Sequence, residues 1–113
     1  YQVYKLMKET TVLLDDLSNW YVRRNRRRFW KSENDSDKLI AYDTLYNCLT
    51  TIIKVISPVI PFLTEEIYSN LVSNVDIDAP KSIHLCDFPD YDKSLVDNKL
   101  INEIDIVIAI VKC

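Results

Sequence analysis

A chain of 113 residues, 48% hydrophobic and 27% charged, has the size and balance of one soluble globular domain with a real core. It contains no glycine, which excludes a Gly-rich phosphate loop and a dinucleotide fingerprint, since both bring backbone without a Cβ up to phosphate. Its net charge of −3 excludes a generally basic surface.

The first predicted helix covers residues 3 to 30 or 31, about 40 Å at the standard rise. Val3, Leu6, Met7, Leu13, Leu14, Leu17, Trp20 and Tyr21 fall within one stripe at helical spacing, the pattern of a single buried face. Asp15, Asp16 and Asn19 lie on the other side. The end of this helix, residues 19–31, holds all five arginines and both tryptophans. It has no acidic residue, and with Lys31 it carries six positive charges; set against a net −3, the rest of the chain carries −9. The same spacing divides the arginines. Arg24 and Arg28 extend the buried stripe and are expected to pair with carboxylates of a neighbouring helix. Arg23, Arg26 and Arg27 share the outward side with Asn19 and Trp30.

Residues 32–37 form a polar loop rich in helix-capping side chains, with Ser36 or Asp37 as the start of the next helix. That helix covers residues 38–57 with an apolar face of Ala41, Leu45, Cys48, Leu49, Ile52, Ile53 and Ile56. Pro58 stops it, because the residue before proline is pushed out of the α region. A third helix starts at Pro61 or Phe62, where proline suits the first turn, and runs to Val72. Residues 73–81 read as a loop, 82–86 as a short extended segment and 87–93 as a turn. The last helix runs from about Ser94 past Val111, with Leu100, Ile104, Val107, Ile108 and Val111 on its apolar face. The fold class that follows is all-α, a bundle of about four helices over residues 1–113.

Planar guanidinium groups match phosphate and stack on bases, and Trp20, Phe29 and Trp30 offer faces for unpaired bases. Arginines interleaved with aromatics and unbalanced by local acids point to nucleic acid rather than to an ordinary solvated helix end. Trp20 lies on the buried stripe and is expected in the core, which leaves Trp30 as the stacking face. The alternative from residues alone is a helical protein-interaction module that binds an acidic partner; a membrane-surface helix ranks below both, because the stripe is committed to a bundle.

Nothing else in the chain reads as chemistry. Asp15 and Asp16 are adjacent and diverge on a helix. Glu65 and Glu66 suit a helix terminus or an ion pair to Arg24 or Arg28. His84, the single histidine, has no second ligand near it, so no metal site and no catalytic residue are expected. Cys48, Cys86 and Cys113 are odd in number and widely spaced, which predicts free thiols and a reducing compartment. No stretch reads as long and apolar enough to span a bilayer, and no signal peptide is visible. The chain does not begin with Met and opens and closes inside apolar patterns, as expected of a piece of a longer protein.

Three segments in order carry a family resemblance. Leu17-Ser18-Asn19-Trp20-Tyr21-Val22-Arg23-Arg24-Asn25-Arg26-Arg27-Arg28-Phe29-Trp30 resembles the helix of the anticodon-binding domain of isoleucyl-tRNA synthetases, in the branch of the eukaryotic cytosol and some bacteria. Ile56-Ser57-Pro58-Val59-Ile60-Pro61-Phe62-Leu63-Thr64-Glu65-Glu66-Ile67-Tyr68 resembles a helix start shared by the class I synthetases for branched aliphatic amino acids and methionine. Ser82-Ile83-His84-Leu85-Cys86-Asp87-Phe88-Pro89 resembles the segment that follows it. Asn25 stands where a serine is common in relatives. The resemblance implies a cytoplasmic ligase that joins isoleucine to tRNA-Ile with ATP and Mg, none of which this fragment would itself handle catalytically. It implies that this domain holds the anticodon stem-loop through Asn19, Arg23, Arg24, Arg26, Arg27, Arg28, Phe29 and Trp30, alongside the remaining domains of the same synthetase and without a membrane.

Overall fold

In a computed structural model, residues 2–31, 33 and 35–112 are described. Tyr1, Ser32, Asn34 and Cys113 lie outside the described residues, and with them two positions of the predicted loop at 32–37, the first residue of the opening apolar pattern and the third cysteine. The fold is all-α, with no strand among the described residues.

The predicted first rod is one helical run in three pieces. Helix α1 spans Val3–Asp15. It widens into π geometry over Asp16–Val22 and closes with a short helix α2, Arg26–Trp30. Asn25 separates the last two pieces, with φ −97° and ψ 14°. Its side-chain Nδ2 donates to the Tyr21 carbonyl at 2.7 Å, where its own backbone N–H also donates at 3.0 Å. An asparagine that competes in this way for helix carbonyls favours a turn over continuation. The π segment matters for register. Each residue there advances through a smaller angle than in an α-helix, so everything beyond Val22 is rotated relative to the α-helical expectation.

Helix α3, Asp35–Ile56, starts three residues before the predicted position. It buries Ala41, Ile52, Ile53 and Ile56 on the predicted face. It ends at Pro58 as expected, and Ser57 Oγ donates to the Lys54 carbonyl at 2.9 Å. By length and composition α3 is apolar enough to cross a membrane, against the sequence expectation. It serves instead as the centre of the bundle, packed against α2 on one side and helix α4, Pro61–Tyr68, on the other. A second π turn, Ser69–Ser73, extends α4 to about the predicted end.

The predicted extended segment at 82–86 is a 3-10 turn, Ile83–Leu85. Two acceptors explain it. Ser82 Oγ accepts from the His84 N–H at 3.2 Å, and Glu65 Oε2 accepts from both Ser82 Oγ at 2.9 Å and the Ile83 N–H at 3.0 Å. Glu65 therefore fastens this turn to α4, not to Arg24 or Arg28. His84 is exposed, with Nε2 4.0 Å from Glu65. A further 3-10 turn, Lys93–Leu95, is capped by Asp92, which accepts from the Ser94 N–H and Oγ at 2.9 and 2.6 Å. Those bonds hold the Asp92 carboxyl below the usual carboxylate range. Because Ser94 is used there, the last helix α5 starts later than predicted, at Asn98, and runs to Lys112. Counting the broken first run once and leaving the 3-10 turns aside, the described residues form the four helical segments expected.

The core is small and central. Ile53, Tyr68 and Ile83 are buried together, with Ile67, Val72 and Cys86 packed around them. The predicted apolar stripes of α1 and α5 are largely uncovered: Val3 and Leu13 are 55% and 52% exposed, and Leu100 and Val107 are 53% and 43% exposed. The radius of gyration, 15.9 Å, exceeds the roughly 13 Å of a compact domain of this length. The outer helices splay away from the α2–α3–α4 centre.

Tyr68 makes the core sensitive to high pH. It is 1% exposed, its hydroxyl donates to the Pro80 carbonyl at 2.8 Å, and it accepts from Cys86 Sγ at 3.4 Å. Burial, with the bond to Cys86, pushes its pKa up to about 12 from the ordinary 10. The folded state then binds a proton that the unfolded state has lost, so this stabilisation is complete below pH 10 and disappears as pH rises through about 12. Tyr68→Phe is expected to cost about 1 kcal/mol at neutral pH through the lost hydrogen bond. It is also expected to flatten the fall in stability between pH 10 and 12, measured by urea unfolding across that range.

Candidate nucleic-acid interface

The basic segment is fixed to the bundle by two of its own residues. Phe29 is 3% exposed. Its ring meets the edges of Tyr42, with centroids 5.0 Å apart at 65°, and Tyr21, 6.2 Å apart at 77°. Tyr42 Oη donates to the Phe29 carbonyl at 3.2 Å, and Tyr21 Oη reaches the Ala41 carbonyl at 3.3 Å. The expectation that Phe29 presents a face to a base is corrected: its ring is buried against Tyr21 and Tyr42, where α2 joins α3.

Arg28 is the second anchor. Its Nε and Nη2 donate to the two carboxylate oxygens of Asp37 in α3 at 3.0 and 2.8 Å, and Nη1 donates to Asn25 Oδ1 at 3.1 Å. The bond to Asp37 and its charge outweigh partial burial and raise the Arg28 pKa above the usual arginine value. This is the interhelical pairing expected for Arg28. Arg24 does not share it. Its guanidinium carbon lies 4.9 Å from the Trp20 ring centroid, on an exposed side chain, in the range of a cation–π contact. The two arginines lie on opposite sides of the break at Asn25, and Arg28 belongs to α2, the piece that packs on α3 and Asp37.

The remaining cations face solvent. Arg23, Arg26 and Arg27 are all exposed. Arg26 lies 5.3 Å from the centroid of Trp30, which is 62% exposed. Neither Arg23 nor Arg27 makes a salt bridge among the described residues. Asn19 is exposed, and its Nδ2 donates to Asp15 Oδ1 at 2.6 Å. Trp20, expected in the core, is only half-buried. It lines a cavity of about 460 Å³ with Asp15, Asp16, Asn19, Arg23, Arg24, Val111 and Lys112. The last two residues come from the end of α5, some ninety positions away, and no sequence pattern signals their approach. Cys48 and Cys86 are free thiols, and no group of three or more His, Cys, Asp or Glu side chains gathers to hold a metal ion among the described residues.

Residues 1–113 match the family described as the anticodon-binding domain of tRNA ligase. The chain belongs to that family. It is 54% identical over 112 residues to the isoleucine–tRNA ligase of Clostridium novyi (strain NT), covering 99% of this chain and 11% of that protein. It is 60% identical over 94 residues to the isoleucine–tRNA ligase of Dehalococcoides mccartyi (strain CBDB1), covering 83% of this chain and 9% of that protein. A 44% identical match over 113 residues is the isoleucine–tRNA ligase of Methanocella arvoryzae. The chain thus spans about a tenth of the length of these relatives. Within this anticodon-binding domain, the basic segment separates into anchors (Arg28 and Phe29) and a solvent-facing set built on them. An interface of that design holds its cations on a fixed base, so little ordering is required of the backbone when a polyanion arrives.

Proposed function

We propose that this chain holds the anticodon stem-loop of tRNA-Ile within an isoleucine–tRNA ligase, which joins isoleucine to its tRNA with ATP and Mg. The observation that carries the reading is three exposed arginines, Arg23, Arg26 and Arg27, without a salt bridge among the described residues, one of them, Arg26, lying against the exposed ring of Trp30. Phosphates meet the guanidinium groups, and an unpaired base stacks on Trp30. The amino acid is supported by the relatives' names, at 44–60% identity. Asn19 and Arg24 belong to the same contact surface; Arg28 and Phe29 position it. The chemistry with ATP is assigned to the part of the ligase beyond the tenth that this chain spans, and a cytoplasmic location goes with the reading.

The test is a titration of the chain with tRNA-Ile and with the same transcript carrying a foreign anticodon, at two salt concentrations. Affinity for tRNA-Ile is expected to fall steeply with salt, because each contacted phosphate releases counterions, and the foreign anticodon is expected to bind more weakly. Equal affinity for both transcripts would sink anticodon reading by this chain. An acidic peptide of similar charge that binds as well as tRNA would favour the protein-partner alternative.

A further inference from the structure

The turn at Asn25 divides the exposed cations between two helical pieces. Arg23, just before it, has ordinary helical torsions, φ −63° and ψ −42°, whereas Asn25 stands at φ −97° and ψ 14°. An unbroken α-helix would carry residues 23, 26, 27 and 30 on one face, three and four apart. With the break, Arg23 ends the first run, and Arg26, Arg27 and Trp30 belong to α2.

The Asn25 amide holds that break from both sides. Its Nδ2 donates to the Tyr21 carbonyl at 2.7 Å, and its Oδ1 accepts from Arg28 Nη1 at 3.1 Å. Turned over, the amide would set oxygen against carbonyl and amino group against guanidinium, so the two partners fix one orientation. Aspartate has no donor for the carbonyl, and serine offers a single hydroxyl. The two residues that Asn25 joins are themselves tied to α3. Tyr21 Oη reaches the Ala41 carbonyl at 3.3 Å, and Arg28 donates to both oxygens of Asp37. Buried Phe29 adds to the hold on the α2 side. Slack at residue 25 therefore falls on the piece before it, where Arg23 stands exposed.

We propose that Asn25 is a positioning residue for RNA: its amide sets the angle between Arg23 and the cations of α2, so that Arg23 meets a phosphate that a continuous helix would miss. A loop reverses the direction of its strand, so its phosphates do not lie on a line. Cations carried on two helical pieces fit such a backbone better than cations on one straight face. The inference rests on the tRNA reading for its ligand.

The test is a cycle of four chains (the parent, Asn25→Ala, Arg23→Gln and the double variant), each titrated with tRNA-Ile over a range of salt. Asn25→Ala leaves every arginine in place. It is nevertheless expected to make the slope of log K against log salt shallower by about 0.7–0.9, the share of one phosphate, and to weaken binding about five- to eightfold at 0.1 M salt. Arg23→Gln is expected to do the same. The double variant is expected to lose no more than either, because the amide acts through Arg23. Asn25→Ser keeps a donor to the carbonyl four residues back and is expected to retain the parent slope. Alanine favours helix, so the helical circular dichroism of Asn25→Ala should persist. An unchanged slope for Asn25→Ala, whatever its thermal midpoint, would reduce Asn25 to a structural role. Additive losses in the double variant, or a serine variant as weak as the alanine one, would also overturn the proposal. A parent slope near zero is a different failure, since it removes the tRNA reading itself and the positioning role with it.

Discussion

Phe29→Ala is expected to destabilise the domain by about 3–5 kcal/mol, the cost of emptying an aromatic site in a packed core. Phe29 is 3% exposed between Tyr21 and Tyr42, and neither tyrosine can collapse into the space without breaking its own hydrogen bond across the α2–α3 junction. Against a total stability of roughly 5–15 kcal/mol for a typical domain, this is a large share, and it falls on the junction that carries the basic segment. Trp30→Ala, one residue on, removes a ring that is 62% exposed and is expected to change stability within about 0.5 kcal/mol. Urea unfolding followed by far-UV circular dichroism separates the two. The same measurement tests the division of the arginines: Arg28→Ala lowers the midpoint by less than Phe29→Ala does, whereas Arg24→Ala leaves it unchanged. An unchanged midpoint for Phe29→Ala, or equal losses for Arg24→Ala and Arg28→Ala, would mean that α2 is not anchored in this way.

The contrast between Arg24 and Arg28 also shows where sequence reasoning stops. Period and punctuation are local, so α3 was legible: Ala41, Ile52, Ile53 and Ile56 are buried on the face their spacing predicts, and Pro58 and Pro61 end and start helices where proline should. The π turn at Asp16–Val22 has no glycine or proline to announce it, and it rotates what lies beyond Val22; Trp20, inside it, is only half-buried because the stripe it belongs to is largely uncovered from Val3 onward. Arg28 kept its expected partner type because Asp37 approaches from another helix and can meet it over a range of registers. The segment at 82–86 failed differently. Its alternation suggested an extended chain, but the acceptor that folds it is Glu65, seventeen residues earlier. The faces of α1 and α5 illustrate a third limit: periodicity says that a helix has an apolar side and does not say that anything covers it. At the candidate site, the solvent-facing arginines and Trp30 were legible because charge and spacing are written in the chain. The contribution of Lys112 depends on where α5 ends in space.

Replacing Arg23, Arg26 and Arg27 together with glutamine is expected to weaken tRNA binding about a hundredfold or somewhat more at 0.1 M salt. The estimate follows from counterion release: each neutralised phosphate adds about 0.7–0.9 to the slope of log K against log salt, hence about 0.7–0.9 of a decade at 0.1 M relative to 1 M. Without these three guanidinium groups the slope becomes shallower by about 2 to 3. All three side chains are exposed, so the thermal midpoint should not move. Net charge alone would predict the same loss wherever three cations are removed. The control is therefore Lys81→Gln, Lys93→Gln and Lys99→Gln in one chain, which removes three exposed positive charges outside the basic segment. If binding depends on the local cations, the control keeps nearly the parent slope and affinity. Equal losses in the two triple variants would mean that tRNA responds to the overall charge of the domain, and the separation of anchors from RNA-facing residues in the basic segment would then say nothing about where the RNA lies.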